Sequence, residues 1–229
     1  MLRLLATGAA SLLAGCGRPQ VWLRYRLTLE VQTPEGIKTG SSVLENTLYG
    51  RSVIPLPGDI GGAGSIGEAP TVDLGGGRYL FAVRADPLYR RDFITIVSKI
   101  LAYPELKLGG PDDGTMERMT KATETRAFAV VHRQDYPMLV TFADMNDPRS
   151  VAEVSPDDLA ARFGAGYALK RITFEAVDHK TPLTTGFRDR FPAIASHRGN
   201  FRTKPPNTPR DQRLDDSLGA SSFVAGGAR

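Results

Sequence analysis

The stretch Val21-Trp22-Leu23-Arg24-Tyr25-Arg26-Leu27-Thr28-Leu29-Glu30-Val31 decides the fold class. Val21, Leu23, Tyr25, Leu27, Leu29 and Val31 alternate with Trp22, Arg24, Arg26, Thr28 and Glu30. A period of two puts the apolar set on one face of an extended chain and the largely polar set on the other, which predicts a half-buried β-strand. Thr33-Pro34-Glu35-Gly36 is a turn signal, with proline at the second turn position. Residues 37–45 return as a second strand, so 21–45 read as a β-hairpin.

Working outward, residues 72–74 and 79–84 around Gly75-Gly76-Gly77 predict another hairpin. Residues 55–70, with Pro55, Pro57 and Pro70 around a glycine-rich run, read as loop. Asp86-Pro87 supplies a cap and first residue for a helix, and Phe93, Ile94, Val97, Ile100 and Leu101 have helical spacing. The β-branched Ile94, Ile96 and Val97 keep a strand as the alternative there. Residues 104–125 read as polar and irregular. Residues 126–133 and 137–143 read as two strands around Gln134-Asp135-Tyr136. Ser155-Pro156-Asp157-Asp158 opens a short helix ending near Phe163-Gly164, with Ser155 as cap and the acids favoured by the N-terminal dipole. Residues 168–177 alternate again, with Ile172, Phe174 and Ala176 on one face. The expected architecture is α+β: a single loop-rich domain over residues 21–195, a mainly antiparallel sheet and two or three helices. Residues 196–229 form a proline-rich, partly disordered tail in which Leu214, Leu218 and Phe223 are potential anchors.

Composition sets the bounds. The 229 residues include 24 Gly, 16 Pro and one Cys. That is enough chain for a sizeable core in one domain, and the Gly and Pro content exceeds the usual ~12%, as a loop-rich fold requires. One cysteine excludes an intramolecular disulfide and any multi-cysteine metal site. The formal charge of +4 is dispersed, with no block of five or six like charges. It reads as solvated faces, and no nucleic-acid partner is expected.

The N-terminus carries the clearest address. Arg3 precedes a short apolar stretch, residues 4–13, which has the layout of a secretory signal peptide and falls short of the ~20 residues that span a bilayer. Leu13-Ala14-Gly15-Cys16 resembles the lipobox of bacterial lipoproteins. The resemblance implies diacylglyceryl transfer to the Cys16 sulfur, cleavage just before it, and acylation (palmitate or a similar chain) of the new amino group. Residues 1–15 would be the signal peptide and 16–20 the tether. Gly17 follows the cysteine with no aspartate retention signal, which favours the outer membrane, facing the periplasm.

Further blocks resemble a widespread group of uncharacterised proteobacterial proteins. They are Tyr25-Arg26-Leu27-Thr28-Leu29-Glu30-Val31, Thr39-Gly40-Ser41-Ser42-Val43, Leu139-Val140-Thr141-Phe142, Asn146-Asp147-Pro148-Arg149-Ser150-Val151, Leu169-Lys170-Arg171-Ile172-Thr173 and Thr184-Thr185-Gly186. The resemblance implies one coherent domain, often with an N-terminal anchor, and no particular chemistry.

Four groups of residues are candidates for chemistry or binding. Gly62-Ala63-Gly64-Ser65-Ile66-Gly67 fits the dinucleotide pattern, but prolines replace the strand before and helix after that a phosphate site requires, so no cofactor is expected. Asp144, Asn146 and Asp147 gather metal-type oxygens on a spacing that suits an Asx turn better than a calcium loop. His132 and Asp135 are the candidate acid–base pair of an envelope hydrolase. Trp22, Arg24 and Arg26 share the polar face of the first strand and offer stacking and cation–π contacts to an acidic or sugar partner. No coherent catalytic set emerges. The function expected is a non-enzymatic, membrane-anchored binding or structural module of the cell envelope with a protein partner. A hydrolase and a small-molecule or metal-binding lipoprotein are the alternatives.

Overall fold

The computed structural model describes residues 19–51, 61–84, 93–101, 113–201 and 218–226. In chain order the strands are β1 (Gln20–Thr33), β2 (Gly36–Tyr49), β3 (Gly62–Glu68), β4 (Thr71–Gly75), β5 (Arg78–Ala82), β6 (Phe128–Val130), β7 (Leu139–Phe142), β8 (Val151–Glu153), β9 (Ala168–Ala176) and β10 (Val224–Ala225). The helices are α1 (Phe93–Ile100), α2 (Asp113–Glu124), α3 (Ala160–Phe163), α4 (Phe187–Arg190) and α5 (Pro192–Ser196).

The alternating stretch is β1, and it pairs antiparallel with β2 from Gln20↔Tyr49 to Thr33↔Gly36. On its other side it pairs with β9. The large sheet runs β10-β3-β2-β1-β9-β6, and a smaller one runs β4-β5-β7-β8, with every pairing antiparallel. The fold is therefore α+β and mostly sheet, as the sequence patterning predicts. Among the described residues five helices exceed the two or three expected because α3, α4 and α5 are single turns of four or five residues.

Two cores follow from the strand periodicity. Leu23, Tyr25, Leu27, Leu29 and Val31 are almost wholly buried in one core with Leu44, Ile172 and Phe174. Each such side chain contributes about 1.5–3 kcal/mol by leaving water. The small sheet adds Val72, Leu74, Leu80, Ala82 and Leu139 to that core from one face. Its other face adds Phe81, Val83, Val140 and Phe142 to a second core, closed by Phe187, Phe191 and Ile194 and by Phe201, Leu218 and Phe223. Phe81 sits between Phe142, Phe187, Phe191 and Phe223 at centroid distances of 5.2–6.0 Å, mostly edge to face, a geometry that aromatic quadrupoles favour. The proline-rich run, 202–217, lies outside the described residues, as do Leu214 and the Asp86-Pro87 pair. On either side of that run the chain is packed, with Phe201, Leu218 and Phe223 fully buried.

Several local expectations are corrected. The glycine-rich run expected as loop is strand β3, paired with β2 from Glu45↔Ile66 to Tyr49↔Gly62. Glycines at 62 and 64 carry no side chain to display a period. Residues 113–124 of the stretch expected to be irregular form α2, which buries Thr115, Met119 and Ala122. Their spacing is helical, but their side chains are too small or polar to announce it. The α2 end turns on Arg126, whose φ of 50° accompanies bonds from Arg126 N–H to the Thr123 carbonyl and from Ala127 N–H to the Ala122 carbonyl, a Schellman ending. The strands at 126–133 and 137–143 do not pair with each other: β6 joins the large sheet and β7 the small one. The turn after Ser155 becomes helical only at Ala160, and Asp158, whose carboxylate accepts from the Ala161 N–H, supplies the capping oxygen. At 93–100 the expected helix is observed and the strand alternative is not.

Candidate functional site

The outer face of the large sheet carries the exposed side chains of interest. On β1 it presents Trp22, Arg24, Arg26, Thr28 and Glu30, opposite Thr47, Glu45, Val43, Ser41 and Thr39 of β2. On the other side the same face carries Glu175, Thr173 and Arg171 of β9, then Phe128 and Val130 of β6.

A strap formed by residues 177–187 crosses this face. It leaves β9 where the Val177 N–H bonds the Arg24 carbonyl. It then passes over Arg24, whose Nη1 donates to the carbonyls of His179 at 2.5 Å and Thr181 at 2.8 Å. Thr184 bonds the open edge of β2 at Val43 through both its hydroxyl and its N–H. The strap ends where the Phe187 N–H donates to Glu68, delivering Phe187 to the second core. Burial raises the Glu68 pKa above its ordinary value, opposed by the backbone bonds from Phe187 and Gly186 and by Arg188.

Arg24 and Arg26 are thus committed within the fold. Arg24 also donates from Nε and Nη2 to one Glu45 oxygen at 3.0 and 2.6 Å, and Arg26 pairs with Glu175 at 2.7 Å. Neither guanidinium is displayed as a free cation beside Trp22. Trp22 itself remains 46% exposed, with the His179 ring 6.3 Å away and tilted.

The structure does not bring the His132 and Asp135 side chains together. His132 is exposed ahead of a 3-10 turn whose Asp135 N–H bonds the His132 carbonyl. The Asp135 carboxylate is buried and lies 3.7 Å from Lys99 Nζ. Neighbouring Arg133 grips Asp157 in a two-pronged ion pair that holds the Asp157 carboxyl below its ordinary range. Asp144, Asn146 and Asp147 also serve local structure. Asp144 accepts the Asn146 N–H, Asp147 accepts the Arg149 N–H, and the Ser150 hydroxyl bonds both aspartate carbonyls. The Arg149 backbone bond and its guanidinium lower the Asp147 pKa. Among the described residues no three His, Cys, Asp or Glu side chains gather as a metal site, and no helix is long and apolar enough to cross a membrane. Cys16 lies outside the described residues.

What the sequence reading missed is the edge at β6. Val131 N–H bonds the Ile172 carbonyl and Ala176 N–H bonds the Ala127 carbonyl. The alternation of an antiparallel ladder then turns the N–H and C=O of Phe128 and Val130 away from β9. No described strand lies beyond them. Their side chains are 65% and 51% exposed. In Phe128-Ala129-Val130-Val131 every residue is apolar, so no period told outward from inward.

No family model matches the chain, and no curated protein or solved structure matches it.

Proposed function

We propose that the chain is a lipid-anchored protein of the bacterial cell envelope, acylated at Cys16 and facing the periplasm from the outer membrane. It acts as a non-enzymatic module that binds an envelope protein through the open β6 edge. The lipobox-like Leu13-Ala14-Gly15-Cys16 supports the anchor. The observation that carries the binding role is the pair Phe128 and Val130, exposed on one face of a strand whose outward backbone groups are unpaired by any described strand. Such an edge accepts an added strand, with backbone bonds supplying affinity and the two side chains supplying selectivity. The other candidate groups are occupied with holding the fold: Arg24 and Arg26 in ion pairs, Asp144 and Asp147 in turns.

Two measurements test this reading. Cys16→Ala abolishes incorporation of a labelled lipid precursor and releases the protein from membranes; retained labelling refutes the anchor. A photo-crosslinking residue at position 128, used in intact cells, yields one discrete adduct that a crosslinker at exposed Lys121 does not. Absence of a position-specific adduct refutes the edge as the binding site.

A further inference from the structure

The only tryptophan of the chain is held at the end of the large sheet where the N-terminal segment enters. We propose that Trp22 seats in the headgroup layer of an anionic bilayer, so that this corner of the domain rests on the membrane as a second contact beside the acyl chains. The inference rests on the reading of Cys16 as the anchor.

Chain length makes the argument. Pro19 is already fixed in the fold, its carbonyl accepting the Gly50 N–H at 2.8 Å. The three residues from Cys16 to Pro19 reach at most about 10 Å even when fully extended. Trp22 lies three residues further along β1, about 10 Å at strand rise. A polar layer of about 5–8 Å covers each side of the hydrocarbon. This end of the domain is therefore tied within about 10 Å of Cys16 at Pro19 and about 20 Å at Trp22, within reach of the headgroup layer, and the first large apolar side chain on its outer face is Trp22.

The residues around Trp22 suit that setting. An indole combines a broad apolar ring with one N–H donor, the combination that places tryptophan at the boundary of lipid and water. Trp22 is half exposed, although every inward side chain of β1 from Leu23 to Val31 is buried. His179 lies beside it on the strap with Lys180 next in sequence, and Arg51 follows the Tyr49 end of β2, which pairs with Gln20. Lys180 and Arg51 are exposed and complement anionic headgroups. The one acid in this part of the strap, Asp178, turns its carboxylate to the Lys180 N–H. Arg24 holds the strap in place through His179 and Thr181, so the Trp22 surroundings are preformed.

The test uses the chain from Cys16 to Arg229, the form that cleavage before the cysteine would leave. Its single thiol is coupled to vesicles of phosphatidylethanolamine and phosphatidylglycerol that carry a maleimide lipid, with nitroxide-labelled headgroups as quenchers. The expected result is a blue shift of Trp22 emission on coupling and loss of most of its intensity to the nitroxide lipids. Emission that neither shifts nor quenches overturns the proposal. Because the coupling is chemical, this outcome is independent of whether cells acylate Cys16, which labelling of Cys16→Ala decides separately.

Discussion

Arg24 on β1 and Glu45 on β2 are cross-strand partners, and the arginine binds one carboxylate oxygen with two nitrogens while its third nitrogen holds two carbonyls of the strap. The pair retains only 14% and 9% of its side-chain exposure. Removing the arginine alone leaves a nearly buried carboxylate and two carbonyls without their donor. Arg24→Ala is expected to cost roughly 3 kcal/mol in urea denaturation, and Arg24→Met with Glu45→Leu to recover the share due to the stranded carboxylate, because an apolar pair leaves no unpaired charge, while the two strap carbonyls still lack their donor.

Gly40 of β2 lies directly against the backbone of β4 in the small sheet. A Cβ at this position would stand 2.0 Å from the Thr71 carbonyl oxygen, a backbone atom with no freedom to swing aside. Gly40→Ala is expected to destabilise by about 3 kcal/mol through overpacking. Gly62→Ala, with nothing within 4 Å, should stay within about 0.5 kcal/mol. Thermal melts of the two variants make the comparison.

Glu68 gives the fold a pH dependence of unusual sign. Its carboxyl is raised above 4.5 chiefly by burial. A raised folded pKa means that its favourable contribution is full below the unfolded value and is lost as pH rises through the folded value. Glu68→Gln keeps an acceptor for the Phe187 N–H without the charge. Relative to the parent, the variant should gain stability as pH rises above 4.5. Denaturation at a series of pH values reads the difference, and a constant offset would refute the assignment.

Arg126 occupies the left-handed region at the end of α2 with a φ of 50°, a conformation that costs a side chain roughly 1 kcal/mol. Arg126→Gly should stabilise the protein by about 0.5–1 kcal/mol, offset in part by the greater freedom of glycine in the unfolded chain. Chemical denaturation at fixed pH checks it.

Two phenylalanines separate surface from core. Phe128→Asp should leave stability within about 0.5 kcal/mol while removing the crosslink at the β6 edge. Phe223 is fully buried among Phe81, Phe142, Phe187 and Phe201. Phe223→Ala should cost about 3–5 kcal/mol, and a chain ending at Ser217 should lose the second core together with β10.

The sequence reveals elements where side chains alternate strongly and hides them where they do not. Tyr25, Leu27 and Leu29 between charged neighbours make β1 plain, and Ile172, Phe174 and Ala176 do the same for β9. β3 is silent because Gly62 and Gly64 have nothing to bury, and its strand character comes from pairing with β2. At the candidate site the position of Trp22 on the polar face follows from β1 alone. The fate of Arg24 does not, because Glu45 is 21 residues away and the carbonyls it binds lie 155 and 157 residues away. His132 and Asp135 are close in sequence, yet a 3-10 turn sends the carboxylate inward to Lys99 and leaves the imidazole in solvent.

The place where β1 sits in its sheet also has a mechanical meaning. A pull on the chain ahead of Gln20 is delivered to an interior strand bonded to β2 along all 14 of its residues and to β9 along more than half of them. Force directed along β1 loads these ladders in shear, so many bonds must fail together, whereas an edge strand such as β10 could be peeled off one bond at a time. The domain therefore takes tension at its strongest seam.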